Sequence, residues 1–222
     1  MSNSRALVIK SIKQGETSSI VSCYLEEIGF KSFIVKGLYG QKKSKFSRAH
    51  FFPLNFINLN YTYNEKRELG YIKEVKPEIL YKTLHVNIQK SSVTVFLSEI
   101  LYSVFREELE VNNNLFNFLF RSLMWYDKIP ECNIYHIKFL IELSKYIGFY
   151  PNIINDHDIY FCLESGSTTN TKPLGINING VDLKLLKNLL GMEFEDLNSM
   201  SISKMSRVRI LNYLIDYYSL GL

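Results

Sequence analysis

The 222-residue sequence has few cysteines and no long apolar run. Its three cysteines, Cys23, Cys132 and Cys162, lie far apart and are odd in number, which excludes a closed disulfide framework and favours a reducing compartment. No stretch approaches the roughly 18 apolar residues of a membrane span, and the first residues lack the apolar core of a signal peptide. We therefore expect a cytoplasmic protein with no membrane partner.

Acidic residues are scarce in one part of the chain. Residues 1–80 hold 13 Lys and Arg against 7 Asp and Glu, whereas the remainder holds 13 against 15. Aromatic residues make up 14% of the sequence, so many rings must either pack inside or offer flat faces to a partner. Only the first part is suited to meeting a polyanion.

The first 75 residues have the pattern of a small β-barrel. Short runs of β-branched and aromatic residues with period-two character alternate with turns that contain glycine. This pattern predicts five strands, over residues 6–12, 19–25, 31–38, 54–63 and 69–75. Five strands in about seventy residues favour a closed barrel, because closure removes exposed sheet edges.

Helical periodicity begins beyond Pro77, which cannot donate to a strand ladder and biases the preceding residue away from helix. Apolar residues that recur every three or four positions predict helices over 86–106, 115–126, 134–147 and 183–190, and another from about 203. We expect the asparagines at 112–114 and Asp182 to cap two of them. Residues 152–180 lose the period and predict an irregular or hairpin insertion around one strand at 159–163. The fold class is therefore α+β, with a basic domain at 1–80 and a helical domain at 81–222.

The segment from 31 to 48 contains six cations and no acidic residue. Such a loop can follow phosphates and release their counterions, and its aromatic residues, Tyr39 and Phe46, could stack unpaired bases. Lys10 and Lys13 can extend the same surface. The predicted DNA-binding cations are Lys10, Lys13, Lys31, Lys36, Lys42, Lys43, Lys45 and Arg48. The alternatives are a basic loop that is merely solvated and a Phe46 ring that closes the end of the barrel.

Several segments of this first part resemble, in order and spacing, the opening of the RecO family. They are residues 6–10 (ALVIK), 15–21 (GETSSIV), 27–29 (EIG) and 36–37 (KG), followed by 42–48, 53–54, 68–69 and 72–74. Fainter similarity continues through 96–101, 139–151 and the terminal helix. The resemblance therefore covers most of the chain.

The resemblance implies an OB-fold followed by an all-α domain, and a recombination mediator of RecF-pathway DNA repair at the bacterial nucleoid. It implies binding of single- and double-stranded DNA and promotion of strand annealing. The implied partners are RecR, the C-terminal tail of single-strand-binding protein and, indirectly, RecA. Arg121, Lys138 and Lys145 are available to rim a pocket for that acidic, apolar tail, although no motif aligns them.

One departure from the family concerns zinc, which many relatives hold through paired CxxC motifs after the third helix. Residues 152–172 contain no CxxC, and they offer Asp156, His157, Asp158 and a single Cys162. We therefore expect no structural zinc and no other cofactor, with a core of Ile159, Phe161 and Leu163 in the place of the metal. A mixed site remains an alternative, built from His157, Cys162, Cys132 and His136.

Two other classes of function stay open beside DNA binding. One is a helical protein-interaction adaptor with an incidental OB-fold. The other is an enzyme, for which the sequence offers no P-loop, GxSxG or HExxH motif. A metal-dependent nuclease that needs His157 is the form of enzyme to test, and we expect a protein without catalytic activity.

Overall fold

Five strands of period-two pattern close into a barrel in the computed structural model, which describes residues 2–40, 45–64, 68–107 and 110–221. The strands are β1 (Ser2–Gln14), β2 (Ser18–Leu25), β3 (Gly29–Val35), β4 (Phe56–Thr62) and β5 (Leu69–Pro77). Their order is β1-β2-β3-β5-β4, and β4 pairs back onto β1. Neighbouring strands are antiparallel except β3 and β5, which run parallel. This arrangement is that of an OB-fold and confirms the predicted barrel.

The barrel interior is filled by alternate residues of its strands. Val8, Val21, Phe33 and Ile57 are fully buried there and belong to one apolar cluster. Phe33 lies so close to β5 that a Cβ atom at Gly70 would be 2.7 Å from its ring. A glycine at this position therefore lets the two parallel strands pair beside the large Phe33 side chain.

Two helices, α1 (Ile88–Phe105) and α2 (Asn113–Lys128), pack on the outside of the barrel. Tyr24 of β2 stacks on Phe105, with ring centroids 4.4 Å apart, and lies 6.4 Å from Phe116. The Tyr24 hydroxyl accepts a hydrogen bond from the backbone N–H of Asn112. The side chain of Asn112 in turn accepts from the N–H of Leu115 and so caps α2, as predicted.

The segment that joins the barrel to α1 is held by a carboxylate of α2. Asp127 accepts hydrogen bonds from the backbone N–H groups of Lys82, Thr83 and Leu84 at 2.8 to 3.0 Å. Burial raises the pKa of Asp127, but these bonds stabilise its anion more strongly, so the net effect is a lowered pKa. The chain forms two compact units, and the first ends at Lys128, so that α1 and α2 belong to the same unit as the barrel. The sequence boundary at residue 80 stays a prediction.

The second unit begins at Ile129 and combines helices with a small sheet. Its elements are α3 (Tyr135–Ser144), β6 (Tyr160–Cys162), β7 (Ser167–Thr169), β8 (Asn177–Asn179), α4 (Gly180–Gly191) and α5 (Lys204–Gly221). Tyr218 of α5 donates a hydrogen bond to the carbonyl of Leu140 in α3 at 2.6 Å. The helical C-terminal part of the predicted fold class is therefore confirmed.

The structure refines the predicted insertion and corrects two details. Residues 152–180 contain a three-stranded sheet of order β7-β6-β8, where the sequence indicated one strand. Ile159 precedes β6 and is 54% exposed, so it does not join the predicted core. Phe161 instead pairs in register with the buried Ile178 of β8. Asp182 does not cap α4, which begins at Gly180, because its carboxylate pairs with Arg209.

Candidate nucleic-acid interface

Cations gather at the barrel end where β1 finishes and β2 begins. Ser19 of β2 lies opposite Lys13 on one side and opposite Val35 on the other. This register brings Lys13 and the residue after β3, Lys36, to the same end. The chain returns to the barrel after its undescribed residues 41–44 through Lys45 and the short 3₁₀ helix Arg48–Phe51. We call Lys13, Lys36, Lys45 and Arg48 the cationic barrel end.

Each cation of the cationic barrel end lies over an aromatic ring. The contacts, measured to the ring centroid, are Lys13 and Arg48 with Tyr39 (5.5 and 4.6 Å), Lys36 with Tyr71 (5.6 Å) and Lys45 with Phe46 (5.7 Å). A cation–π contact restricts where the charged group sits and leaves its N–H donors available. The charges are therefore held at the surface in a position to meet an anion.

The cationic barrel end has no carboxylate partner among the described residues. Within the described ranges, no member of the cationic barrel end forms an ion pair with Asp or Glu. Lys45 donates to the backbone carbonyl of Lys73, and Arg48 donates to that of Leu38 at 3.4 Å. Carbonyl acceptors leave the full positive charge in place. Burial lowers the pKa of nearby His50, so its imidazole adds no charge at neutral pH.

Two other predicted cations lie elsewhere. Lys31 precedes Lys36 by five residues of extended chain, about 16 Å along β3, and lies over the ring of Tyr63 instead. The ammonium group of Lys10 is 2.6 Å from a carboxylate oxygen of Glu99 in α1. The structure therefore brings together half of the predicted cations. Lys42 and Lys43 lie outside the described residues.

The two predicted stacking residues both touch the barrel core. Tyr39 and Phe46 are half-buried and pack against the apolar cluster, and Phe46 meets the buried Phe51 edge to face at 6.2 Å. This is the arrangement that a ring closing the barrel end would have. The sequence reading missed Tyr71, which is 42% exposed and supports Lys36. The alternation of Tyr71 with buried Ile72 along β5 was the available signal.

The remaining candidate residues do not form a centre of their own in the described part of the chain. No group of three or more His, Cys, Asp or Glu side chains there could hold a metal ion. Lys138 is only 1% exposed and donates to Glu142 and to the carbonyl of Leu189, so it cannot rim an open pocket. Lys145 pairs with the same Glu142, while Arg121 is exposed. Across the described residues, none of the helices is both apolar and long enough to cross a membrane.

Two family models match the chain in succession. The model described as "Recombination protein O N terminal" matches residues 1–80, and the one described as "Recombination protein O C terminal" matches residues 85–222. The first match covers the barrel, and the second begins just before α1. Together they account for nearly the whole sequence.

Individual relatives give the same result. The chain is 33% identical over 215 residues to a DNA repair protein RecO of Flavobacterium psychrophilum and 34% identical over 216 residues to that of Flavobacterium johnsoniae. Each alignment covers 97% of this chain and 90% of the relative. A DNA repair protein RecO of Bacteroides fragilis is 32% identical over 221 residues, with the same two coverages.

Proposed function

The chain belongs to the recombination protein O (RecO) family, and from this premise we propose that it acts in DNA repair by binding DNA at the cationic barrel end. The observation that carries the proposal is a set of four cations held on aromatic rings without carboxylate partners among the described residues. No carboxylate of the described residues forms an ion pair with these cations. DNA phosphates can therefore approach them and release their condensed counterions.

This surface would bind both single and double strands, because both present phosphates. Cations contribute contacts that depend on the backbone and not on the sequence of bases. In the described part of the barrel, the four-residue 3₁₀ helix Arg48–Phe51 is too short to serve as a recognition helix and the other elements are strands, so little base preference is expected. Binding of two complementary strands by such surfaces would bring them together, which supports a role in strand annealing.

The finer role is that of a recombination mediator without catalytic activity. Its partners would be RecR and the C-terminal tail of single-strand-binding protein, so that RecA is loaded onto strands which that protein coats. Membership of the family supports these partners, and the exposed apolar side chains Leu174 and Val181 in the second unit offer area for a protein contact. A nuclease assay with added divalent metal tests the absence of catalysis. Metal-dependent cleavage that is lost in His157→Ala would overturn it.

The DNA-binding proposal is tested by removing three members of the cationic barrel end together. We expect Lys13→Ala, Lys36→Ala and Lys45→Ala to weaken binding of single-stranded DNA and to flatten the log–log dependence of affinity on salt by about 2, at about 0.7 per phosphate contact. All three side chains are exposed, so the free energy of unfolding should change little. The measurement is fluorescence anisotropy of a labelled oligonucleotide across a salt series.

A charge-matched control comes from three exposed lysines elsewhere in the chain. Lys128, Lys184 and Lys204 are exposed and take part in no ion pair among the described residues. Their replacement by Ala lowers the net charge by the same amount and should leave the salt slope nearly unchanged. Equal slopes in the two triple variants would place DNA binding outside the cationic barrel end.

A further inference from the structure

A cavity of about 560 Å³ opens at the barrel end opposite the cationic barrel end. The first residues of β3, the segment just before β5 and the C-terminal end of α1 form its walls. Its volume lies within the roughly 300–1,000 Å³ that is usual for small-molecule sites. The lining residues that the structure describes all belong to the first unit.

The lining combines aromatic rings with cations. The rings are those of Phe30, Tyr63 and Phe105, the cations are Lys31 and Arg106, and the carboxylate is that of Glu68. The ammonium group of Lys31 lies 5.5 Å from the centroid of the Tyr63 ring, and the guanidinium carbon of Arg106 lies 5.6 Å from that of Tyr102. Among the described residues, neither cation forms an ion pair with a carboxylate.

This combination suits a ligand that has both a flat ring and a phosphate. A purely apolar ligand would make no use of the two cations. Inorganic phosphate would make no use of the aromatic wall and would be repelled by Glu68. A nucleotide suits both the aromatic and the cationic part of the lining, because its base can stack on an aromatic ring and its phosphate can meet Lys31 and Arg106.

We propose that this cavity takes one unstacked nucleotide of single-stranded DNA, with its base against Tyr63 and its phosphate between Lys31 and Arg106. The arriving base takes the place of the Lys31 ammonium group over the ring, and that group turns to the phosphate. Tyr63 packs on the barrel core and meets Phe33 edge to face at 6.4 Å, so its ring is held in position to receive a base. A base within a duplex has both faces stacked and cannot enter. The cavity therefore gives the protein a preference for single strands.

This inference rests on the proposed DNA-binding function and assigns a different task to a different end of the barrel. The cationic barrel end contacts phosphates of either form of DNA, whereas the cavity distinguishes an unpaired nucleotide. The two can be separated by measuring the ratio of affinities for a single strand and for its duplex. Loss of the phosphate contacts should lower the affinity for both the single strand and the duplex. Loss of the cavity should lower the affinity for the single strand alone.

The test uses Tyr63→Leu and Arg106→Ala in the full chain, with affinities for a single-stranded oligonucleotide and its duplex at one salt concentration. Each variant should weaken single-strand binding by about five-fold or more, the loss expected for one stacked base, and should leave duplex binding unchanged within about two-fold. A 2-aminopurine base in the single strand should lose quenching on Tyr63→Leu. Tyr63→Phe keeps the ring and should retain both properties. Arg121→Ala removes an exposed arginine of α2 and serves as the charge control for Arg106.

A further variant has the opposite expected sign. Glu68→Gln removes the carboxylate from the cavity and should tighten single-strand binding. An unchanged affinity ratio in both Tyr63→Leu and Arg106→Ala, with DNA binding otherwise intact, would overturn the cavity and leave the proposed function standing. An equal loss for both forms of DNA in Arg106→Ala would make that residue an ordinary phosphate contact and would also overturn it. A wild-type protein that binds neither form would overturn the proposed function itself.

Discussion

The cationic barrel end and the ion-paired cations of the second unit hold positive charge in opposite ways. At the cationic barrel end, four cations lie over rings and meet no carboxylate among the described residues. In the second unit, Lys138 and Lys145 both pair with Glu142 at 2.6 Å, and Arg209 pairs with Asp182 at 2.7 Å. The residue types are the same, but the positive charge is available at the cationic barrel end and is neutralised in these pairs of the second unit.

This difference indicates which charges contribute to the fold and which are left for a ligand. A lysine buried with its carboxylate cannot be removed without leaving the other charge in a poor solvent. An exposed lysine over a ring contributes little to folding and can be removed at small cost. Stability and DNA affinity should therefore respond to different cations, and three substitutions sharpen or break that contrast.

The largest effect on stability is expected for Glu142→Leu, in the second unit. Lys138 is 1% exposed, and this change leaves its ammonium group without a carboxylate. Removing one partner of a buried pair costs about 3–5 kcal/mol, and we expect a loss of this size in the free energy of unfolding. The measurement is urea denaturation followed by fluorescence and circular dichroism, because a chain of two units need not unfold in one step.

The matched control replaces both charges, as Lys138→Met with Glu142→Leu. No uncompensated charge remains in this double variant, so most of the stability should return. DNA affinity should be the same in both variants and in the wild type. A single variant as stable as the wild type would mean that the buried pair contributes nothing, and the contrast between the units would lose its energetic basis.

Protonation of His136 in the second unit should lower the free energy of unfolding by up to about 3 kcal/mol in acid. Burial and the neighbouring charge of Arg207 lower the pKa of His136 to about 4. As the pH falls below about 6.5, the unfolded chain takes up a proton on this residue, whereas the folded chain does so only near pH 4. Stability is therefore fully present above pH 6.5 and is lost between pH 6.5 and 4. We expect His136→Gln to flatten this loss in urea melts at pH 7 and 4.5.

Other groups titrate in the same window, so the informative quantity is the difference between wild type and variant. His85 of the first unit also has a lowered pKa, mainly through burial, with Asp127 opposing the shift. It remains in both proteins and cancels in the comparison. Parallel pH profiles for wild type and His136→Gln would show that His136 is not protected from protonation in the folded chain.

The fold was predictable from sequence because its signals are local. Alternation along each strand and the three-and-four spacing of the helices need only a few neighbouring residues, and both patterns agreed with the observed elements. The errors arose where a partner distant in sequence decides the outcome. Asp182 has the residue type of a helix cap, but Arg209, 27 positions away, takes its carboxylate. Ile159 continues an apolar alternation, but β8 supplies Ile178 to the core in its place.

The sequence predicted that the site is a cationic surface, but it predicted only some of the residues that form it. An acid-free run indicated a cationic surface, but a run of residues cannot specify which end of a strand each one occupies. Lys31 lies near the start of β3 and Lys36 directly follows its end, and Lys10 meets a glutamate 89 positions away. The supporting ring of Tyr71 and the cavity residue Arg106 both lie outside the acid-free run. Only the closure of the barrel and the packing of α1 bring them beside the lysines.

The smallest effect is expected for Glu99→Gln, which tests a barrel cation that does have a carboxylate partner. Lys10 is a barrel cation held by a carboxylate, at 2.6 Å, and it also lies 4.6 Å from the centroid of the Tyr102 ring. Because Glu99 is 55% exposed, its loss should change the free energy of unfolding by no more than about 1 kcal/mol. The ammonium group of Lys10 would then lie over the Tyr102 ring without a carboxylate partner, as the cations of the cationic barrel end do over their rings. If Lys10 then joins the DNA surface, the log–log salt slope for single-stranded DNA should steepen by about 0.7.

Glu195→Gln makes the same charge change at an exposed position of the second unit and should leave the slope unaltered. Indistinguishable slopes for the two variants would mean that Lys10 serves only to attach α1 to the barrel.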